Sequence, residues 1–313
     1  MDVSTSRPAI GSSRPGKFAY VGRLVCACGE PLEPRCRTIR TTAAWGEVSF
    51  VRCTACGNWC QSPQIEPATL SAWYDSDDYQ GSARRRGSVY VNYLEDEPER
   101  MVEARQRYQR DIAPFLPNEG GRVLEVGCAT GSLLAVVREA GHEVVGLDLS
   151  QRFVDAARTL HGLDVRVGDV SAVDIPERHF DVILLFGTIS NLADLPRSLA
   201  RIHRLLKSRG TLILNYPAAD ALVARIYGSR FWMFAPSVAT FLSEQGCRTT
   251  LAHAGFTVLR SRTDRQRPSL SKLLNHARMH PVLSLLQRLG LAHRHLPFAI
   301  PIPGVRIVWA HTT

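Results

Sequence analysis

The 313-residue sequence predicts an α/β fold, a doubly wound seven-stranded sheet preceded by a small cysteine-rich module. Two observations predict it. From Arg122 onward, short apolar runs alternate with segments of helical spacing, the pattern of parallel strands covered on both faces. Ahead of them, six of the eight cysteines (Cys26, Cys28, Cys36, Cys53, Cys56 and Cys60) crowd into one segment. Without a secretory leader, such crowding indicates metal binding rather than a disulfide framework.

Residues 1–17 are rich in Ser, Pro and Gly, lack the apolar core of a signal peptide, and are read as a disordered tail. Residues 18–66 form the cysteine module, with a strand at Phe50-Val51-Arg52 feeding Cys53 and prolines at its end. Residues 67–112 are read as a helical, Tyr-rich connector. In it, Met101, Ala104, Tyr108 and Ile112 share one face of a helix over Glu97–Ile112. The remainder, 113–313, is the main domain. Its predicted strands are Val123–Val126, Val144–Leu147, Val165–Val167, Val182–Phe186, Thr211–Leu214, Phe256–Leu259 and Val305–Trp309. Its predicted helices are Ser132–Ala140, Gln151–Leu160, Leu195–Leu206 and Ser237–Ala254. Residues 268–300 interrupt the alternation as a helical insertion (Leu270–Arg278, Val282–Leu289) between the last two strands. Three readings of it stand: a lid, a peripheral contact with an anionic membrane, or ordinary core-covering helices.

Composition is that of a globular protein, 45 % apolar and 21 % charged. No stretch reaches the ~20 apolar residues that span a bilayer, and a cytoplasmic location is expected. The net charge of +9 suits an anionic partner or simply a solvated basic surface. The one basic run, Arg84-Arg85-Arg86, is too short for a nucleic-acid stripe, so no stable nucleic-acid complex is expected.

The chemistry-bearing stretch is Val123-Leu-Glu-Val-Gly127-Cys-Ala-Thr-Gly131. A strand ends in a glycine loop and turns into a helix, whose free N–H groups and partial positive charge face the loop. The next strand ends in Asp148, where a Rossmann-like fold places an acid on ribose hydroxyls. The spacing Gly127-x-x-x-Gly131, with Ala129 between, departs from the G-x-G-x-x-G of dinucleotide sites. Glu125 suits a cofactor bearing an amino group and a sulfonium charge.

Glu125-Val-Gly-Cys-Ala-Thr-Gly131 resembles motif I of class I S-adenosylmethionine-dependent methyltransferases. Gly168-Asp169-Val170, Phe180–Phe186 and Arg204–Gly210 resemble the family's later landmarks, in order. The resemblance covers residues 113–262 and implies a Rossmann-like methyltransferase. It implies cofactor contacts from Glu125, Gly127, Cys128, Ala129, Gly131, Asp148, Leu149, Asp169, Val170 and Phe186, with Tyr90 and Tyr93 closing over the cofactor. The order of cysteine segment, connector and core is similar to that of bacterial methyltransferases of polysaccharide, glycolipid or natural-product pathways. It implies O-methylation of a saccharide or other small molecule. An RNA methyltransferase and a non-catalytic S-adenosylmethionine-binding partner are the alternatives.

Cys53-Thr-Ala-Cys56-Gly57 is a metal knuckle, and Cys26-Ala-Cys28-Gly29 is a compressed partner to it. Cys26, Cys28, Cys53 and Cys56 are assigned to a structural Zn²⁺, with Cys36 and Cys60 in reserve. Many relatives carry Glu-His after strand four. Here Ser190 and Asn191 stand there, and neither is a good general base. Tyr216, after strand five, is the further catalytic candidate. Tyr216, Tyr227 and Trp232 are candidates for the acceptor wall, and His203 is read as a surface or satisfied histidine.

Overall fold

The computed structural model describes residues 19–23, 25–33, 37–42, 46–76, 94, 96–228, 237–276, 280–291 and 293–313. Tyr90, Tyr93, Trp232, Cys36 and the tail 1–17 lie outside the described residues. The cysteine segment contributes β1 (Tyr20–Val21), β2 (Arg37–Thr42), β3 (Gly46–Arg52), β4 (Trp59–Gln61) and β5 (Gln64–Ile65). The connector follows as α1 (Pro67–Tyr74) and α2 (Glu97–Arg107), the latter continuing into one π turn at Tyr108–Ile112.

The main domain alternates β6 (Arg122–Val126), α3 (Ser132–Glu139), β7 (Glu143–Asp148), α4 (Gln151–His161), β8 (Val165–Val167), β9 (Phe180–Phe186), α5 (Leu195–Leu205) and β10 (Leu206–Pro217). Then come α6 (Leu222–Tyr227), β11 (Thr240–Phe241), α7 (Glu244–His253), β12 (Phe256–Gln266), α8 (Leu270–His276), α9 (His280–Arg288) and β13 (Ile300–Thr312).

Seven strands lie in the order β12-β13-β10-β9-β6-β7-β8. Side chains alternate across this sheet. Leu124, Ile183, Leu185, Leu212 and Leu214 fill one layer, and Val123, Val182, Leu184, Ile213 and Trp309 the other. Each is buried, which contributes roughly 1.5–3 kcal/mol per large aliphatic side chain. That two-sided burial is why these strands read as continuous apolar runs.

Two expectations are corrected. The sheet is not wholly parallel: β13 runs antiparallel to both β10 and β12. Gln266 pairs with Ile300, so the helical insertion leaves and re-enters at one end of the sheet and the chain must return in the opposite direction. The helix expected over Ser237–Ala254 begins only at Glu244. Ser243 caps it, its hydroxyl accepting from the Gly246 amide at 2.8 Å. Ahead of that cap, Thr240 and Phe241 pair with Cys60 and Trp59 of β4.

That pairing joins the two parts of the chain. The cysteine segment's sheet has the order β11-β4-β3-β2, so the main domain supplies one of its strands. Val48 and Phe50 of β3 share an apolar cluster with Val238 and Phe241. No described helix is long and apolar enough to cross a membrane.

Candidate active site

The strand-end loops of β6, β7, β9 and β10 open on one cavity of about 600 Å³, at the carboxyl edge where open α/β sheets bind ligands. Glu125, the fourth residue of β6, is buried, and its Oε2 has no hydrogen-bond partner among the described residues. Burial pushes its pKa up to about 8, against the pull of Arg100. A buried carboxyl held above its ordinary pKa by burial would ionise readily once a cationic ligand group stood beside it.

Gly127 takes φ 76°, and a Cβ there would stand 2.3 Å from Thr188 Oγ1. Only glycine leaves this side of the cavity open. Asp148 ends β7. It accepts hydrogen bonds from the amides of Ala129 and Ser150, each at 2.9 Å, which fix its carboxylate at the cavity wall. Burial nonetheless raises its pKa, the two amides opposing. Asp169 is held in the same way by the Ser171 amide at 2.7 Å. These groups fit S-adenosylmethionine: an acid for the amino group, an acid for the ribose and a glycine turn that admits the chain between them.

Glu125, Gly127, Cys128, Ala129, Asp148, Leu149, Asp169, Val170, Phe186, Ser190, Asn191 and Tyr216 all line this one cavity. Gly131 does not. At φ 78° it caps α3, and a Cβ there would meet Leu163 Cδ1 at 2.5 Å, so the position also admits only glycine for packing. Tyr227 also lies outside the lining, at the end of α6 and 52 % exposed. The Tyr216 ring reaches the wall, but its hydroxyl is buried beside Cys247, and burial drives its pKa well up. That environment withholds the phenolate a base would need. Ser190 Oγ is buried, and the Asn191 amide donates to the Gly187 carbonyl at 3.3 Å. His203 packs edge-on against Phe256, away from the cavity.

The sequence reading missed one whole wall. Arg100, Glu103, Ala104 and Arg107 recur at helical spacing along α2 and face the cavity, followed by Arg110 on the π turn. Arg107 lies 4.5 Å above the Phe186 ring and binds Asp264 at 3.0 Å. Arg110 and Arg262 each reach the fully buried Asp111 at 2.7 Å. Burial alone would raise Asp264. Arg107 and the Asn215 amide outweigh that and hold it below the usual carboxylate range. Three guanidiniums thus face two buried carboxylates, with Asn215 completing the net at 2.9 Å from Asp264.

A family model described as a methyltransferase domain matches residues 99–261, more than half of the chain. The chain belongs to this methyltransferase family. Its methyltransferase domain is of the class I type, a family whose methyl donor is S-adenosylmethionine. Among curated relatives, a ubiquinone biosynthesis O-methyltransferase from Rhodopseudomonas palustris is 25 % identical over 49 % of this chain and 62 % of its own length. The O-methyltransferase resE from Aspergillus sclerotiorum is 28 % identical over 50 % of this chain and 64 % of its own length. The methyltransferase thus spans less than two thirds of either relative. A solved S-adenosylmethionine-dependent methyltransferase from Archaeoglobus fulgidus is similar at a TM-score of 0.49 and 16 % identity. That match covers 70 % of this chain and 99 % of the other.

Proposed function

We propose that this methyltransferase transfers a methyl group to an oxygen of a small molecule, a saccharide, glycolipid or natural product. The observation that carries the reading is the continuity of the cavity. The same cavity is lined by Asp148, Glu125 and Phe186 and by Pro217, Val238, Ile302 and Val305, and its volume of about 600 Å³ lies in the range of small-molecule sites. The relatives named as O-methyltransferases support transfer to oxygen.

When bound, the cofactor supplies an electrophilic methyl on a sulfonium. Asp148 would hold the ribose, Asp169 the adenine and Glu125 the amino group. Arg100, close enough to Glu125 to lower its pKa, faces the carboxylate beside it. Phe186 and Arg107 form the wall where an acceptor oxygen approaches. Ser190 and Asn191 orient the acceptor by hydrogen bonds rather than take its proton. The three guanidiniums of Arg107, Arg110 and Arg262 exceed the two carboxylates they pair with by one charge, which favours an acidic acceptor hydroxyl losing its proton to solvent; its oxygen would then take the methyl as the sulfonium carbon–sulfur bond breaks, without a strong base. The interior ion pairs of Arg107, Arg110 and Arg262 absorb part of the basic excess, which weakens the RNA reading.

The same reading includes a structural zinc ion on Cys26, Cys28, Cys53 and Cys56. Their four sulfurs lie within 4.8 Å of one another. Tetrahedral ligands at a Zn–S distance of about 2.3 Å stand about 3.8 Å apart. Here Cys26 and Cys56 are 3.6 Å apart, and Cys28 and Cys53 are 3.7 Å apart. Buried thiols left unpaired suit a reducing, cytoplasmic location. Leu285 of α9, Leu289 just after it, and Phe298 are each more than half exposed, which supports a peripheral membrane contact of the insertion.

The test is incubation with methyl-labelled S-adenosylmethionine and a panel of a catechol, a phenolic acid, a methyl glycoside and an RNA oligonucleotide. Label on a small hydroxyl compound supports the reading. Label on RNA alone contradicts it. Cofactor binding without turnover on any acceptor would favour the non-catalytic partner.

A further inference from the structure

Asn58 follows the second cysteine knuckle and is fully buried. Its side-chain amide faces two ways. Nδ2 donates to Cys26 Sγ at 3.6 Å, and Oδ1 accepts from the Ser243 amide at 2.9 Å. Ser243 in turn donates its hydroxyl to the Cys56 carbonyl and caps α7. The chain just ahead of Ser243 is the acceptor wall. Val238 lines the cavity, and the Ala239 amide donates to the carbonyl of Ser190, itself a lining residue, at 2.8 Å. The Ala239 carbonyl is held from the cysteine side by the Gln61 amide at 3.0 Å and by Arg23 Nη1 at 2.8 Å. Asp148, by contrast, is fixed by amides of its own sheet edge, Ala129 and Ser150.

We infer that Asn58 is a positioning residue that couples the thiolate cluster to the acceptor wall. Metal occupancy then sets the placement of Val238 and Ser190 and leaves the cofactor half unchanged. This rests on the zinc reading above. A metal-bound thiolate is an anionic acceptor, and the hydrogen bond that Asn58 donates to it is charge-assisted. Removing the metal frees the four sulfurs from their shared arrangement, so Cys26 Sγ is no longer held opposite Asn58 Nδ2, and the amide loses the anchor that orients its other end toward Ser243. The fit around Asn58 is close enough to transmit this. A Cβ on Gly246 would stand 1.8 Å from Asn58 Oδ1, although Gly246 has ordinary helical backbone within α7.

Residue-resolved amide exchange on the full chain tests the coupling, with metal content measured in every sample. Zinc-loaded protein is compared with chelated protein, Asn58→Leu and Gly246→Ala. Exchange at Ala239 and Ser243 is expected to rise at least about tenfold on chelation and in each variant, with S-adenosylhomocysteine affinity within about twofold of wild type. Gly246→Ala is expected to do so with its zinc still bound, because it displaces Asn58 without touching a ligand. In Asn58→Leu, chelation is expected to add no further exchange at those two amides, a non-additivity that separates coupling from general loosening. Exchange that rises only within residues 26–60 on chelation, or rises additively in Asn58→Leu, overturns the proposal. A chain that holds no metal and takes none up refutes the zinc reading. Asn58→Leu then reads the link to Ser243 alone.

Discussion

At the scale of single residues, the cofactor end of the site is built from carboxylates whose surroundings differ. Glu125 is the informative one. Its folded pKa, about 8, lies above its ordinary value of 4.5 because burial penalises the charge. Between those values the folded chain binds a proton that the unfolded chain has lost. Glu125 therefore favours folding most below pH 4.5, and this contribution is lost as pH rises toward 8. A ligand amino group reverses the preference, so binding below pH 8 releases this proton. The affinity for S-adenosylhomocysteine is expected to rise by up to about tenfold per pH unit between pH 6 and 8. Calorimetry in buffers of different ionisation enthalpy should show proton release that Glu125→Gln abolishes; a variant releasing the same number of protons contradicts the assignment. Glu125, Gly127 and Asp148 were legible in the sequence because each sits at a strand end beside a glycine turn. Asn215, Gln266, Ile302 and Val305 were not, because they reach the cavity from strands far apart in the chain and no local pattern marks them.

At the scale of elements, periodicity identified the sheet and misjudged its margins. The strands β6, β9 and β10 carry buried apolar side chains on both faces and announce themselves. Residues 237–243 looked helical because the capping role of Ser243 and the pairing of Thr240 with Cys60 depend on a distant partner. The cavity face of α2 escaped notice for another reason. Arg100, Glu103 and Arg107 have the spacing of a buried face, but a search for apolar stripes passes over charges that are satisfied inside, such as Glu103 on Lys272 at 2.5 Å. Gly146 shows how tightly the cofactor edge is packed. A Cβ there would meet Cys128 Sγ at 2.8 Å and Leu134 Cδ1 and Val165 Cγ2 at 2.9 Å. Gly146→Ala is expected to destabilise the fold by about 1–3 kcal/mol through overpacking of β7 against α3 and β8. Denaturant unfolding measures it, and an unchanged midpoint would show that the neighbours give way freely.

At the scale of the whole molecule, the cysteine segment is continuous with the enzyme. It shares a sheet with β11, an apolar cluster with Val238 and a hydrogen-bond chain with α7. Sequence spacing found its four converging sulfurs because the cysteines sit in two local knuckles, while the join to residues 237–243 left no mark in either segment. With zinc bound, one equivalent per chain is expected, and chelation should lower the thermal midpoint because metal-binding energy is folding energy. A midpoint indifferent to chelation, in protein shown to carry the metal, contradicts a structural role. The central claim is that the Gly127–Asp148 edge holds S-adenosylmethionine, and calorimetric titration of wild type and Asp148→Ala with S-adenosylhomocysteine, with NAD as the comparison, tests it most directly. Loss of charged hydrogen bonds to the ribose, each about 1.5–3 kcal/mol, is expected to weaken S-adenosylhomocysteine binding by at least about tenfold, with no binding of NAD to either protein. Equal affinity in the two proteins, or a preference for NAD, would contradict the account.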